Sequence, residues 1–384
     1  MKNRTHRQLA VAASAAVAVL LTAGCGTDSS DDASAGGGDG GAAVDVAAAQ
    51  AVVEPLTTPP TEFPVTEPLA KLPEPGTVVV YMDNGTPVAG QVYGELAKAA
   101  DVLGMELQRV QMGQTPQEIN AAMNSVVESK PDAVFDLALD PALFTPQLEA
   151  LQEQGTVFLP SSIVNGEEFG FDDSQIVSGK SGAKANGKVL ASAVLAETNG
   201  EATDLVFYRV PELAFTPIML AGVEEQLAEQ CPECELRVVD IPIAQVGSTA
   251  SRTVVSDLQA HPETQAFIPA IDELQIGLPA AMDVAGLDVP GMGIAPTPVN
   301  YQQIADGQQL GSLAADLGMT TWLNMDQLVR ALAGQEFDYS SIAAETSPAT
   351  YQVVTKDNVP SDPNAGYVAF PDFRERFTTL WTGQ

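Results

Sequence analysis

The sequence predicts an α/β protein whose sheets are parallel and covered by helices on both faces. From Thr77 to the C-terminus, short β-branched runs alternate with amphipathic stretches of helical length, the order in which parallel sheets are wound. This alternating part covers roughly 310 residues, more than one hydrophobic core usually organises, so two such layers are expected. Apolar residues make up 45% of the chain, enough to fill both cores.

The first 75 residues read differently. Lys2, Arg4 and Arg7 precede an uncharged apolar run, Leu9–Ala23, shorter than the ~20 residues that span a bilayer, so the segment is expected to be a signal peptide. It ends in Leu21-Thr22-Ala23-Gly24-Cys25, which resembles a bacterial lipobox. That resemblance implies cleavage after residue 24 and a lipid on Cys25. Removing three basic residues from 17 leaves 14 against 50 acidic ones, a net charge of −36. Residues 26–45 hold five aspartates and many glycines, and seven prolines follow between Pro55 and Pro75. Such composition buries too little apolar surface to offset chain entropy. Residues 25–75 are therefore expected to form a lipid-anchored tether, disordered at first and then extended.

The folded body is expected to open with a strand at Thr77–Met82, followed by a helical stretch to Leu103. A second strand near Leu107–Val110 leads into Thr115-Pro116-Gln117-Glu118, a capping box with proline at the first helical position. Ile119, Met123, Val126 and Val127 then share one helix face. Further strands are expected at Ala133–Leu139, Val157–Pro160, Leu205–Tyr208, Leu236–Ile241, Gln265–Ile268, Val289–Ile294 and Leu310–Ala314, with helices of ten to twenty residues between them.

Composition narrows the chemistry. The whole chain carries −33, which argues against nucleic acid as a partner. His6 and His261 are the only histidines, so histidine-rich zinc sites and most histidine-based catalysis lack their raw material. No enzyme, cofactor or metal is expected, and the protein is expected to be a monomer. Cys231-Pro232-Glu233-Cys234 falls between a helix and a strand, and in an oxidising compartment it is expected to close a small disulfide loop. Ser178-Gly179-Lys180-Ser181-Gly182 lacks the first glycine of a phosphate loop and reads as a hinge entering a helix. His261 lies in a turn with no nucleophile elbow nearby.

Several segments in order carry a resemblance: Thr77–Asn84, Ala260-His261-Pro262-Glu263-Thr264-Gln265-Ala266, Asp272-Glu273 after the next strand, Tyr351–Val359, and Phe373–Trp381. Together they resemble the ribose-binding-protein-like family of type I periplasmic binding proteins, the solute receptors of ABC importers. The resemblance implies two Rossmann-like lobes joined by a hinge that the chain crosses three times. Lobe one would hold 76–176 and 316–347, and lobe two 177–315 and 348–384. Ligand would sit between the lobes at the carboxyl ends of the strands, and its closure would be sensed by permease subunits at the outer face of the cytoplasmic membrane.

The family's polar ligand positions map here onto small or apolar residues. Thr86-Pro87-Val88-Ala89 stands after the first strand, Ser161-Ser162 after the fourth, and Pro217, Ile271, Ala295 and Ala315 at later positions. Each unpartnered sugar hydroxyl costs about 1–3 kcal/mol. A cleft walled by Met82, Val88, Phe215, Pro217, Ile271 and Ala295 is therefore expected to take an apolar or aromatic molecule, such as a steroid or aromatic acid. Asn84, Thr86, Ser161, Ser162 and Asp140 would orient its polar end, Asp272 is a further candidate contact, and Arg209 would pair a carboxylate. Two alternatives stand beside this reading. A sugar receptor would draw its contacts from Asp83, Asp140, Asp272 and Asp316, and a sensor lipoprotein would pass ligand state to a membrane kinase.

Overall fold

The computed structural model describes residues 44–113, 115–343, 346–347 and 349–384. The leader, Cys25 and the aspartate-rich segment to residue 43 lie outside the described residues.

Residues 44–75 are not a free spacer, and here the tether expectation is corrected. Helix α1 (Val46–Val53) starts at Asp45, whose carboxylate accepts from Ala48 N at 2.9 Å. The run has no charge and many alanines, so Ala49 and Val53 bury against later helices rather than staying solvated. A 3-10 turn follows and buries Leu56, and Thr57 O accepts from Gln352 Nε2 at 2.9 Å and Asn358 Nδ2 at 3.3 Å. The proline-rich part then runs on, and Val65 and Leu69 bury in a second core cluster. Prolines keep this stretch extended, but these two side chains still find apolar ground.

The first lobe is built from β1 (Val78–Asp83), α2 (Pro87–Leu103), β2 (Glu106–Gln111), α3 (Pro116–Ser129), β3 (Ala133–Leu137), α4 (Thr145–Glu153) and β4 (Val157–Ser161). Its strands lie in the order β2-β1-β3-β4, all parallel. Strand β1 sits centrally and is buried from its second residue on, whereas β2 at the edge alternates between exposed and half-buried positions. The capping box of α3 forms between Thr115 and Glu118, and Ile119, Met123 and Val126 bury beneath it.

The second lobe holds α5 (Lys180–Glu197), β5 (Asp204–Arg209), α6 (Thr216–Gln230), β6 (Glu235–Asp240), α7 (Ala250–Ala260), β7 (Ala266–Pro269), α8 (Leu278–Ala285), β8 (Met292–Ile294), α9 (Pro298–Ala305) and β9 (Gly311–Ala315). Strands β6-β5-β7 are parallel, and a bridge from Phe267 to Gly291 continues them into β8 and β9. Helices α5 and α6 cross where glycines face each other. A Cβ on Gly187 would lie 2.0 Å from Met219 O, and one on Gly222 would lie 2.0 Å from Lys184 O. No other residue fits that approach.

Helix α10 (Leu317–Ala333) returns to the first lobe, packing on α2 and β4. After α11 (Ser340–Ala343), strand β10 (Tyr351–Thr355) joins β9 antiparallel, with Tyr351 opposite Ala315. The last helix, α12 (Phe373–Thr382), packs on α10 and α2. The expected placement of 348–384 in lobe two therefore fails after β10. The reason is aromatic: Trp381 stacks on Trp322 of α10 at 5.0 Å, and Phe373 meets the same ring edge-on at 5.8 Å. The chain passes between the lobes after β4, ahead of α5, and again between β9 and α10. It also passes between them after Thr57 and after Thr355.

Candidate functional site

The strand ends of the two lobes face each other across a cavity of about 130 Å³. Its walls come from the first residues beyond each strand. Asn84 follows β1, Leu137 and Ala138 end β3, Ser161 and Ser162 end β4, Phe215 lies after β5, Ile271 and Glu273 follow β7, and Ala295 and Ala315 end β8 and β9. Helix α10 adds Thr320, Thr321 and Asn324, and β10 adds Tyr351. Parallel sheets place such residues at a common crevice because all their strands end on the same side.

Nine of the fourteen residues expected to bind ligand line this cavity: Asn84, Thr86, Val88, Ser161, Ser162, Phe215, Ile271, Ala295 and Ala315. Five do not. Met82 is fully buried in the core beneath α3 and α4. Pro217 is exposed in the first turn of α6. Asp140 caps the turn Pro141–Leu143 through Ala142 N at 2.9 Å and accepts from Asn165 Nδ2 at 3.0 Å. Arg209 is held by Asp240 in a two-point contact of 2.7 and 2.9 Å, so it is not available to a ligand carboxylate.

Asp272 turns inward, away from the cleft. It is fully buried and accepts from Gln275 Nε2 at 2.6 Å, Gln309 Nε2 at 3.0 Å and the Ser312 hydroxyl. Burial nonetheless pushes its carboxyl up to about 7, against the pull of those donors. The other aspartates of the sugar alternative are also committed elsewhere. Asp83 pairs with Arg109 and accepts from Gln111 Nε2 at 2.8 Å, and Asp316 caps α10 through Met319 N at 2.8 Å while accepting from Ala369 N. None of the four aspartates lines the cavity.

Glu273 is what sequence reasoning missed. It follows Asp272 by one residue in the same 3-10 turn, yet it lines the cavity and Asp272 does not. Its Oε1 accepts from Val88 N at 2.7 Å, so a residue of the second lobe caps helix α2 of the first. Thr86 of the first lobe already caps the next amide, Ala89 N, at 3.2 Å, and Pro87 has none to offer. Only 2% of Glu273 is exposed, and burial pushes its carboxyl up to about 7 despite that amide.

The remaining polar groups are partly spent. Asn84 Nδ2 donates to Leu137 O at 3.1 Å, Asn324 Nδ2 donates to Ser161 Oγ at 3.1 Å, and Ser178 shares a hydrogen bond of 3.1 Å with Tyr351. Thr320 Oγ1 and Asn324 Oδ1 are buried without a partner. Four lining residues, Ala138, Ser162, Ser178 and Ala295, hold φ between 58° and 62°, a left-handed conformation that costs a side-chain-bearing residue about 1–2 kcal/mol. Strain of this kind persists where surrounding structure over-determines it, and it clusters at binding sites.

The disulfide forms between Cys231 and Cys234, closing the loop between α6 and β6. His261 ends α7 and its ring contacts Asp257. Among the described residues no cluster of three or more histidine, cysteine or carboxylate groups is set up to hold a metal ion, and no helix is long and apolar enough to cross a membrane.

No protein-family model and no curated protein sequence matches the chain. Solved structures do. A 5-methylthioribose transporter solute-binding protein from Thermotoga lettingae aligns over 82% of this chain and 99% of its own, with a TM-score of 0.65 at 13% identity. A glucose-galactose binding protein from Geobacillus stearothermophilus aligns over 75% and 100%, with a TM-score of 0.63 at 15% identity. A LacI-type transcriptional regulator from Bacteroides fragilis aligns over 74% and 99%, with a TM-score of 0.62 at 13% identity. The chain therefore has the type I periplasmic binding protein fold. At these identities the likeness extends to the fold alone, and one fold here serves both solute receptors and a regulator.

Proposed function

We propose that this chain is an extracytoplasmic solute-binding receptor of an ABC importer, tethered to the membrane by a lipid on Cys25, which captures a sugar-like molecule between its lobes. One observation carries the reading. A partly open cavity lies where both sets of strands end, its walls are mostly apolar, and unpartnered polar atoms of Thr320 and Asn324 point to a ligand that completes them. Ligand sites have this composition: apolar walls and a few convergent polar groups.

Size and charge refine the ligand class. A cavity of about 150 Å³ admits benzene, and the space of about 130 Å³ here is nearer the size of one ring than of a steroid. No basic side chain lines it, and its one carboxylate would repel a ligand acid. The steroid-acid expectation therefore gives way to a single-ring, sugar-like molecule with an apolar face or arm for Val88, Phe135 and Phe215. Among proteins of this fold, one carries 5-methylthioribose, a sugar with a methylthio arm.

The test is a thermal-shift screen of the purified protein against pentoses, hexoses, deoxy sugars and 5-methylthioribose. A ligand present at a hundred times its Kd adds about 2.7 kcal/mol to the folded state. A rise with one or more members is expected. A flat response to the whole set would sink the reading. Replacing Cys25 with alanine should release the protein from the membrane fraction, and retention there would overturn the anchor.

A further inference from the structure

Among the described residues that line the cleft, Glu273 is the only acid or base apart from the phenol of Tyr351. One of its oxygens meets Val88 N, and among the described residues no hydrogen bond reaches the other. A carboxylate taken out of water without a counter-ion is unstable unless something pairs with it. The N-terminus of α2 supplies one amide and a partial positive charge, yet burial still outweighs them at this group. No lysine, arginine or histidine of the lining is there to finish the balance.

The rest of the cavity leans the same way. Its unpartnered polar atoms, Thr320 Oγ1 and Asn324 Oδ1, are oxygens, while the Asn324 amide nitrogen is already committed to Ser161. The Asn324 oxygen and the second oxygen of Glu273 can only accept, so at these two points the site asks its ligand for donors, while the Thr320 hydroxyl serves either way. An ammonium group brings three donors and no acceptor. Phe135, Phe215 and Tyr351 add aromatic wall, and ring faces attract cations. The whole chain carries −33, a field that draws cations toward its surface.

Resting on the cleft being the ligand site, we infer that the molecule it takes carries a cationic nitrogen on a sugar-sized ring, and that this ammonium pairs with Glu273. The ligand supplies the counter-ion that the chain omits. Closure of the lobes then brings together three partners: the α2 amide from one lobe, the carboxylate from the other and the ammonium from the solute. Glu273 sets specificity as well as contact, because a ring of the same size without the charge leaves the carboxylate unpaired.

Matched pairs test this. Glucosamine against glucose, and cyclohexylamine against cyclohexanol, are titrated at millimolar concentration into the purified protein at pH 7.5, with melting temperature and calorimetry as readouts. The amine of at least one pair should bind at least tenfold more tightly than its alcohol. Glu273→Gln keeps an oxygen for Val88 N but loses the charge, and it should abolish that preference. The paired comparison in the unaltered protein decides the matter even where the variant fails to fold. Equal or tighter binding of the neutral members overturns the inference and leaves the receptor reading standing. An amine preference that survives in Glu273→Gln also overturns it. Silence toward both pairs and toward the sugar set overturns the cleft as the ligand site.

Discussion

Leu56 gives the sharpest test of the N-terminal segment. It sits in a 3-10 turn after α1, only 4% exposed, in the same cluster as Ala49, Val53 and the core of the second lobe. Replacing a buried leucine with alanine removes its transfer energy and leaves a cavity, together about 2–5 kcal/mol. The turn is anchored by Thr57 O to Gln352 and Asn358, so the backbone has little room to collapse into the gap. A loss of about 3 kcal/mol is expected for Leu56→Ala. With an unfolding entropy near 2.1 cal/mol/K per residue, that lowers the melting temperature by about 4 °C. Urea and thermal unfolding of the purified protein measure it. Leu72, which is 43% exposed in the same stretch, is the control, and Leu72→Ala should change stability by less than about 0.5 kcal/mol. If Leu56→Ala matches Leu72→Ala, the segment is a tether and the packing argument is wrong.

Stability should fall as pH rises from 5 to 8. Asp272 and Glu273 are pushed up to about 7 and Asp316 to about 6, so the folded chain holds protons that the unfolded chain has released. For these groups the stabilisation is fully present below about pH 4, and its loss is complete once pH passes about 7. For Glu273 alone the span is worth about 3 kcal/mol, so unfolding in urea across this range should show a shallower slope in Glu273→Gln. A rising stability curve would contradict the burial argument. Asp272→Ala strips the acceptor from Gln275, Gln309 and Ser312 and should destabilise by about 3 kcal/mol, since each stranded donor costs about 1–3 kcal/mol and the lost carboxylate returns part; a variant as stable as the parent refutes it. Reducing Cys231–Cys234 reopens a loop of short span and should cost about 2 kcal/mol, read as a melting shift with dithiothreitol, and no shift means the turn holds itself.

Much of the fold was legible because periodic signals report local structure. The expected strand at Leu205–Tyr208 lies inside Asp204–Arg209, and the capping box at Thr115 starts α3 where its chemistry requires. What failed was composition read without its context. Aspartates and glycines up to residue 45 suggested disorder for the whole stretch, but Val46–Val53 has no charge, and small side chains such as Ala49 let it lie close to α5. The prolines that follow rule out a helix, not packing. Phe63 of that segment meets Phe370 and Phe377 at 5.2 Å, hundreds of residues away in the chain, and no local pattern announces such a contact. The same holds for α12, whose place in the first lobe is fixed by Trp322 and Trp381 stacking across 59 positions of sequence.

The site was legible in its positions and not in its charge. Residues just beyond strand ends were the right places to look, because parallel sheets deliver those ends to one crevice. Choosing between Asp272 and Glu273 needs the turn itself: one residue decides which carboxylate anchors the second lobe and which faces the ligand. Helix α10 contributes Thr320 and Asn324 from far along the chain, so the unpartnered oxygens could not be placed from sequence. The trend toward small and apolar residues around the cleft was visible, and its consequence runs further than lost hydroxyl partners. Walls of Val88, Ile271, Ala295 and Ala315 leave no cation in the lining, so the one carboxylate that remains has no counter-ion of its own. In a cleft with more polar walls Glu273 would be one partner among many; in this one it governs which charge the solute must bring.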